Sequence, residues 1–341
     1  MKIENTTQLK SLLGTPQKIV IVPHKSPDGD AMGSCLGWKH LLDKLGHSTT
    51  VISPDQYPDF LKWIPGSEQV LIYEENTDTA QKILSKADSI FVLDFNTLKR
   101  IGDMGDFIGT CNAQKIVIDH HRDPDNFADL LFSYPEIGST CELVYHLIDS
   151  LELSDLIDDT IATALYVGIL TDTGSFRFPS VTPTTHRVVA HLIEKGANHS
   201  DITNKIKDSA SLGRLQLLGV ALNNLRYNET LRTAYITLSS DELVTCGYQK
   251  GDTEGFVNYG LSITGSVLAV IMIENKKEGY IKMSFRSKGT FSVNDFARNH
   301  FNGGGHHNAA GGRSEQTLQK TVDQLLQKLA LCQEELQNAY S

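Results

Sequence analysis

The stretch Lys115-Ile116-Val117-Ile118-Asp119-His120-His121 decides the fold prediction, because an acid and two imidazoles directly follow a short apolar run. β-branched residues of this kind favour a buried strand. Ligands of open α/β sheets bind outside the carboxyl ends of parallel strands, so polar side chains at this position predict a site. Taken alone, the stretch is equally compatible with a surface aspartate and two solvated histidines.

Three further segments place acids or imidazoles after an apolar run. A strand is predicted over 18–22, a second over 89–93, and a helix over 157–170. Because apolar runs alternate with helical segments, the pattern predicts β-α-β units and a mostly parallel sheet flanked by helices. We expect the polar side chains that follow these runs to meet at one edge of that sheet. They are His24, Asp28, Asp30, Asp94 and Asp172.

The chemistry of this residue set favours divalent metal ions. Mixed carboxylate and imidazole ligands suit Mn²⁺, with Mg²⁺ or Zn²⁺ as alternatives. Four or more acids in one place repel each other unless cations neutralise them, which favours two ions. Two ions about 3.5–4 Å apart clamp a phosphoryl group and acidify water. Each aspartate alone is better explained as a helix cap or turn residue, but together they predict a phosphoester-cleaving centre.

Composition and net charge limit the classes of partner that the protein can bind and indicate its cellular compartment. The net charge of −10 argues against binding of long duplex nucleic acid, which usually requires a basic surface. No apolar run approaches the roughly 20 residues that span a bilayer, and the N-terminus lacks the order of a secretory signal. Five scattered cysteines without a CxxC pair suggest neither a disulfide framework nor a thiolate zinc site. We therefore expect a reduced, cytoplasmic protein.

The second half of the chain differs in composition from the first. A length of 341 residues is compatible with two domains, and a polar helical stretch over 201–227 reads as a connector between them. New strands then lead to the glycine-rich stretch 303–312. Successive backbone N–H groups in such a stretch can bind a phosphate, although a flexible loop explains the glycines equally well.

These motifs resemble those of the DHH phosphoesterase superfamily. The pattern His24-x-x-x-Asp28-x-Asp30, the strand-end Asp94, Asp119-His120-His121 and Asp172 match its four motifs. Residues 303–311 resemble the GGGHxxAAG motif of the DHHA1 domain, with His307 in place of the usual proline. The resemblance covers nearly the whole chain and extends to the NrnA-type nanoRNases.

The resemblance implies an α/β architecture of two domains. It implies a DHH domain over 1–195, a helical connector over 196–229 and a smaller α/β DHHA1 domain over 230–341, with a cleft between the domains. By motif, His24 and Asp28 would bind one ion and Asp94 would bridge to a second. The second ion would be bound by Asp30, His120 and Asp172.

The resemblance also implies roles for residues that do not bind metal. Asp119 would support its neighbours, and His121 would face the phosphate as a hydrogen-bond donor or general acid. In the DHHA1 domain, Arg286 matches the substrate-facing arginine of the family, and an Arg fork suits phosphate. The other substrate-binding positions implied by the motif are Gly304, Gly305 and His306. The role of His307 is left open.

The implied function is manganese-dependent phosphodiester hydrolysis. Substrates would be very short oligoribonucleotides, degraded from one end, and 3′-phosphoadenosine 5′-phosphate, whose 3′-phosphate would be removed. One alternative is a phosphodiesterase of the same superfamily that acts on cyclic or linear dinucleotides, because the metal-binding half is shared. A second is a catalytically silent nucleotide-binding regulator, although none of the six metal positions is missing. The physiological metal, the direction of attack and a homodimer are left open.

Overall fold

The computed structural model describes residues 3–339, and the chain divides into two compact units. Unit 1 is Met1–Ser209 and unit 2 is Ala210–Ser341, so the boundary lies inside the stretch 196–229 assigned above to a connector. Ile202, from the first half of that stretch, is buried in the core of unit 1. Leu217, from the second half, is buried in a core of unit 2.

Unit 1 is built on a sheet of six parallel strands in the order β3-β2-β1-β4-β5-β6. The α/β prediction is therefore confirmed. Its helices and strands, in chain order, are α1 (Thr6–Leu12), β1 (Lys18–Val22), α2 (Gly29–Lys44), β2 (Ser48–Ser53), β3 (Leu71–Ile72), α3 (Thr77–Leu84), β4 (Ser89–Leu93), α4 (Asp103–Thr110), β5 (Gln114–Asp119), β6 (Leu130–Ser133), α5 (Thr140–Ser150), α6 (Asp159–Asp172), α7 (Pro183–Glu194) and α8 (His199–Lys207).

Helices cover both faces of this sheet, which explains the continuous apolar runs of its strands. Successive side chains of a strand point to opposite faces. In β1, Ile19 and Ile21 pack into the core formed with α2, α5 and α6. Val20 and Val22 pack into the core formed with α3 and α4 on the other face. The strand is therefore apolar at every buried position rather than at alternate ones.

Helix α4 and strand β6 are among the elements of unit 1 that the sequence analysis did not predict. Helix α4 contains Gly105 and Gly109, and glycine in a helix interior costs about 1 kcal/mol relative to alanine, so its sequence does not favour a helix. Strand β6 has only four residues and completes the sheet by pairing with β5. A run this short is ambiguous without knowledge of its neighbours.

Glycines on α2 bring α6 into close contact with it. A Cβ atom on Gly29 would lie 2.4 Å from Thr171 Oγ1, and one on Gly33 would lie 2.4 Å from the Ala164 carbonyl. From the α6 side, a Cβ atom on Gly168 would lie 2.1 Å from Cys141 Sγ and 2.6 Å from Asp30 Oδ1. These positions have no room for a side chain, so glycine sets the distance between the two helices.

Unit 2 contains a mixed sheet of six strands in the order β11-β12-β10-β9-β8-β7, in which only β8 and β9 pair in parallel. Helices α9–α11 pack on one face of the sheet, and α12 and α13 pack on the other. Its elements, in chain order, are α9 (Leu212–Asn224), β7 (Arg226–Asn228), β8 (Thr233–Leu238), α10 (Ser240–Thr245), α11 (Val257–Leu261), β9 (Leu268–Asn275), β10 (Tyr280–Ser287), α12 (Val293–His300), β11 (Gly304–His306), β12 (Ala309–Ser314), α13 (Leu318–Ala330) and α14 (Gln333–Asn338).

The glycine-rich stretch forms a β-hairpin, not the loop predicted from its sequence. Strands β11 and β12 pair antiparallel and place Gly304 opposite Gly311. A Cβ atom on Gly303 would lie 2.0 Å from the Gly311 carbonyl oxygen, and one on Gly305 would lie 2.4 Å from the Ala309 carbonyl oxygen. The glycines are therefore required for close packing of the two backbones, a contact that a local reading of the sequence does not reveal.

Among residues 3–339, no helix has both the length and the apolar character that a membrane span requires.

We expect Gly168→Ala to lower the free energy of unfolding by about 1–3 kcal/mol, because the added methyl group overpacks the contact between α6 and Asp30. Urea unfolding followed by circular dichroism measures this. The matched control is Gly219→Ala in α9, where the added Cβ meets nothing within 4 Å and should stabilise the helix by about 0.5–1 kcal/mol. Equal stability of the two variants would contradict the assigned packing role.

Candidate metal centre

The predicted metal-binding residues lie at the carboxyl edge of the parallel sheet. β1 leads to His24, β4 to Asp94, and β5 ends at Asp119. The chain connections diverge between the adjacent strands β1 and β4, and ligand sites in such sheets form at this switch point. Asp28 caps the amino end of α2, where its Oδ1 accepts the backbone N–H groups of Asp30 and Ala31 at 3.0 and 3.1 Å.

A first group of candidate ligands surrounds His24. Its Nε2 lies 3.4 Å from Asp94 Oδ2 and 3.9 Å from Asp28 Oδ1. Its Nδ1 lies 2.9 Å from the Lys25 carbonyl oxygen, which fixes the ring orientation. With Nδ1 held by a backbone carbonyl, Nε2 is the nitrogen directed at the carboxylates, as in many histidine metal ligands.

A second group surrounds His120 in the same way. Its Nε2 lies 3.4 Å from Asp172 Oδ2, 3.6 Å from Asp94 Oδ1 and 3.8 Å from Asp30 Oδ2. Its Nδ1 lies 3.0 Å from the Ile137 carbonyl oxygen. Asp172 reaches this group from the last residue of α6, not from a strand end.

The two carboxylate oxygens of Asp94 face different groups of candidate ligands. Oδ2 is directed at His24, whereas Oδ1 is directed at His120 and accepts the hydroxyl hydrogen of Thr140 at 2.8 Å. Asp94 also has a left-handed backbone conformation with φ of 67°, and such strain in a residue other than glycine is common at functional sites. The structure thus brings together all six side chains predicted as metal ligands.

Burial makes this concentration of acids costly. Asp30, Asp94, His24 and His120 are almost inaccessible to solvent, whereas the side chains of Asp28 and Asp172 are 45% and 30% exposed and line the open side. Burial and the charges of Asp94 and Asp172 raise the pKa of Asp30 well above its ordinary value. Burial, reinforced by Asp28 and Asp94 and opposed by His120, raises the pKa of Asp172 to about 6.

The pKa values of both histidines are raised, although burial alone would lower them. Burial lowers the pKa of His120, but Asp172, Asp94 and Asp30 outweigh it and raise this pKa to about 9. Burial also lowers the pKa of His24, but the hydrogen bond to Asp94 and the charge of Asp28 raise it. For Asp94, burial raises the pKa, whereas the His24 hydrogen bond and the charges of His121 and His120 lower it overall.

The donor set fits divalent cations. Without ions, the raised pKa values of His24, His120, Asp30 and Asp172 favour bound protons, which offset part of the carboxylate charge. Divalent ions would supply that balancing charge and displace those protons. His24, Asp28 and Asp94 have ligand atoms within 4.8 Å of one another, and so have Asp30, His120 and Asp172. Oxygen and imidazole donors in this ratio suit Mn²⁺ or Mg²⁺.

Asp119 and His121 form a pair beside these ligands, and His121 Nδ1 lies 3.8 Å from Asp94 Oδ1. His121 Nδ1 lies 2.7 Å from Asp119 Oδ1, and the His121 backbone N–H donates to Asp119 Oδ2 at 3.0 Å. Asp119 is fully buried, so its contacts orient the His121 ring. Asn96 Nδ2 donates to the His121 and Arg122 carbonyl oxygens and ties the segment that follows β4 to the segment that follows β5.

The amino end of α5 supports the centre, a role that the sequence analysis did not assign to this helix start. The backbone N–H groups of Thr140 and Cys141 donate to the two oxygens of Asp30 at 2.6 and 2.9 Å. A helix amino terminus favours an anion through these free N–H groups and its dipole. The Ser-x-x-Glu spacing of Ser139 and Glu142 marks the helix start in the sequence, but it does not indicate the contact with Asp30.

The predicted substrate-binding residues lie in unit 2. Arg286 is in β10, opposite Ala269 of β9 and Ala309 of β12, and its Nη1 donates to the Phe285 carbonyl oxygen at 2.9 Å. Gly304, Gly305 and His306 form β11. The Gly305 N–H donates to Asn294 Oδ1 at 2.9 Å, so this amide is not the free phosphate donor that the loop model predicts.

We expect Thr140→Val to weaken Mn²⁺ binding by about 10-fold or more, because it removes the hydroxyl that orients Asp94 while preserving side-chain shape. Isothermal titration calorimetry measures the affinity. Thr140→Ser keeps the hydroxyl and should stay close to the wild-type affinity. Equal affinities for the valine and serine variants would show that the hydrogen bond does not position Asp94.

Comparison with known proteins places both units in described domain families. Residues 18–169 match the N-terminal domain of the DHH family, and residues 240–335 match the DHHA1 domain. The bifunctional oligoribonuclease and PAP phosphatase NrnA of Thermus thermophilus is 31% identical over 296 residues, which are 86% of this chain and 83% of that protein. The protein of the same name from Bacillus subtilis is 28% identical over 307 residues, 89% of this chain and 92% of that protein.

A solved structure resembles the whole chain. The crystal structure of an exopolyphosphatase-related protein from Bacteroides fragilis superposes with a TM-score of 0.93 at 39% sequence identity. The match covers 98% of this chain and 97% of that one.

Proposed function

This chain belongs to the DHH/DHHA1 phosphoesterase family, and from that premise we propose that it hydrolyses very short oligoribonucleotides and 3′-phosphoadenosine 5′-phosphate with two bound divalent ions, most favourably Mn²⁺. The geometry of Asp94 carries the proposal, because its two oxygens face two separate groups of candidate ligands. A carboxylate in that position is suited to bridge two ions. The names of the NrnA relatives support the choice of substrates.

Each of the two groups of candidate ligands is assigned to one metal ion. We assign His24 and Asp28 to one ion and Asp94 to both, and the ligands of the second ion are Asp30, His120 and Asp172. When bound, two divalent ions supply positive charge that neutralises the phosphate and lowers the pKa of water. The partly exposed Asp28 and Asp172 border the side from which a phosphate can approach.

His121 is assigned a role towards the substrate. Its contact with Asp119 holds the ring in one orientation and favours a proton on Nδ1, as an aspartate does for a catalytic imidazole. In this role His121 donates a hydrogen bond to the phosphate or a proton to the leaving oxygen. Asp119 acts through His121 and does not itself contact the reacting atoms.

Unit 2 is assigned to recognition of the nucleotide. An arginine binds phosphate oxygens through two parallel N–H donors, so Arg286 is proposed to bind a phosphate of the substrate. We propose that Gly304, Gly305 and His306 also contact the substrate beside that phosphate. Substrates of a few nucleotides agree with a net charge of −10, because they need a local site and not an extended basic surface.

The substrate assignment is tested by initial rates with Mn²⁺ on four substrates: an end-labelled RNA dinucleotide, a longer RNA, 3′-phosphoadenosine 5′-phosphate and a cyclic dinucleotide. We expect the dinucleotide and 3′-phosphoadenosine 5′-phosphate to be hydrolysed fastest. Fastest turnover of the cyclic dinucleotide would favour the other phosphodiesterase activity, and binding without turnover would indicate a silent regulator.

Asp94→Asn is the inactive control, and Arg286→Ala should raise KM while leaving Mn²⁺ affinity unchanged.

The two adjacent histidines should differ when each is replaced by alanine. His120→Ala removes a proposed ligand and should lower Mn²⁺ affinity by about 100-fold or more. His121→Ala should keep wild-type Mn²⁺ affinity and lower kcat by about 10²–10⁴-fold, because only a donor to the substrate is lost. Calorimetry and rates at saturating Mn²⁺ separate the two effects. Equal loss of metal in both variants would contradict the division of roles.

A further inference from the structure

We propose that Arg100 is a further substrate-binding residue, whose guanidinium contacts an oxygen of the phosphate that the enzyme hydrolyses. The proposal rests on the function proposed above, which brings a phosphate to the candidate metal centre. Arg100 lies in the short 3₁₀ helix Leu98–Ile101 after β4, and the motifs quoted from the sequence do not include it. It is partly exposed to solvent.

Contacts at both ends of the residue hold Arg100 beside the centre. Its Nη1 donates to the backbone carbonyl oxygen of Asp94 at 3.4 Å. Its own carbonyl oxygen accepts the backbone N–H of Lys25 at 3.0 Å, and the Lys25 carbonyl oxygen contacts the His24 ring at 2.9 Å. Arg100 therefore connects the segments that follow the adjacent strands β1 and β4, which carry the first group of candidate ligands.

Arg100 is a cation without a counter-ion. Within the described range of the chain it forms no ion pair, although carboxylates crowd the adjacent centre. The Asp94 carboxylate is directed towards His24 and His120, so the guanidinium meets only the backbone oxygen of that residue. Burial and, to a smaller extent, the charge of Arg100 act to lower the pKa of His24, against the Asp94 hydrogen bond and the charge of Asp28, which raise it. The guanidinium is therefore within electrostatic range of the imidazole.

Most of the hydrogen-bonding capacity of Arg100 is unused. A guanidinium has five N–H donors arranged in a planar fork. Among the described residues, the side chain of Arg100 donates only to the Asp94 carbonyl oxygen. Its distance of 3.4 Å is long, since the usual N–H···O distance is about 2.9–3.0 Å. The remaining donors are available to a ligand, and the guanidinium can move towards one at little cost.

A phosphate is the ligand that fits this position. Divalent ions at the centre would repel the guanidinium, and an anion in contact with both would remove that repulsion. A phosphate can place some oxygens on the ions while the others accept the parallel N–H groups of an arginine. His121 Nδ1 lies 3.8 Å from Asp94 Oδ1, so His121 and Arg100 both lie beside Asp94. Arginine also stabilises the charge that develops on a phosphoryl group in the transition state.

Calorimetric titration of inorganic phosphate into the full chain loaded with Mn²⁺ tests the proposal. Arg100→Gln keeps an N–H donor for the Asp94 carbonyl but loses the charge and the fork, so it should bind phosphate about 10-fold or more weakly. Lys99→Gln is the matched control, because it removes the same charge from an exposed residue of the same helix and should bind phosphate like the wild type. Equal phosphate affinities of Arg100→Gln and wild type would overturn the proposal.

The Mn²⁺ affinity of Arg100→Gln separates substrate binding from support of Asp94. Loss of a cation beside the centre should leave Mn²⁺ affinity unchanged or raise it, whereas loss of a residue that positions a ligand would lower it. A parallel loss of Mn²⁺ and phosphate affinity would therefore also overturn the proposal. Arg100→Lys provides a second variant that keeps the charge, and it should bind phosphate more tightly than Arg100→Gln does.

Rates on the RNA dinucleotide and on 3′-phosphoadenosine 5′-phosphate extend the test to the reaction. Arg100→Gln should lower kcat/KM by about 10²-fold, because a charge that stabilises the transition state is lost. Wild-type rates in Arg100→Gln would contradict the proposal. A wild-type protein that hydrolyses neither substrate would refute the proposed function instead, and phosphate affinity would still test Arg100, since phosphate is common to the substrates of phosphoesterases.

Discussion

The crowding of carboxylates around two imidazoles is the constraint on which unit 1 depends. Asp28, Asp30, Asp94 and Asp172 approach one another at a largely buried point, where charge repulsion and loss of hydration both oppose ionisation. The protein offsets part of this cost with fixed donors: two backbone N–H groups for Asp30, two for Asp28 and the Thr140 hydroxyl for Asp94. These donors hold the carboxylates in position, and divalent ions would supply the remaining charge.

The strand order and the helix packing both bring the candidate metal ligands together. The order of the strands makes β1 and β4 neighbours, so His24 and Asp94 emerge side by side. The glycines of α2 let α6 approach closely enough for Asp172 to join Asp30. A side chain at Gly168 would collide with Asp30 itself, so helix packing and ligand position are one structural requirement.

The candidate site was largely predictable from the sequence because most of its residues follow apolar runs. Strand ends place side chains at one edge of a parallel sheet whatever the details of packing, so His24, Asp94 and His120 could be grouped in advance. The Thr140 contact and the glycine contacts between α2 and α6 could not, because each depends on how two helices meet. The hairpin at Gly303 was missed for a related reason: Gly303 is required by its close contact with the backbone of Gly311, eight residues further along the chain.

Backbone N–H groups have different partners in the two units. Unit 1 uses helix ends and strand ends to hold charge, whereas β11 in unit 2 directs the Gly305 amide to Asn294. Anomalous diffraction at the manganese edge, from crystals grown with Mn²⁺, tests the proposed two-ion centre of unit 1. We expect two peaks about 3.5–4 Å apart, one beside His24 and Asp28 and one beside His120 and Asp172, with Asp94 between them. A single peak, or two peaks that Asp94 does not bridge, would contradict it.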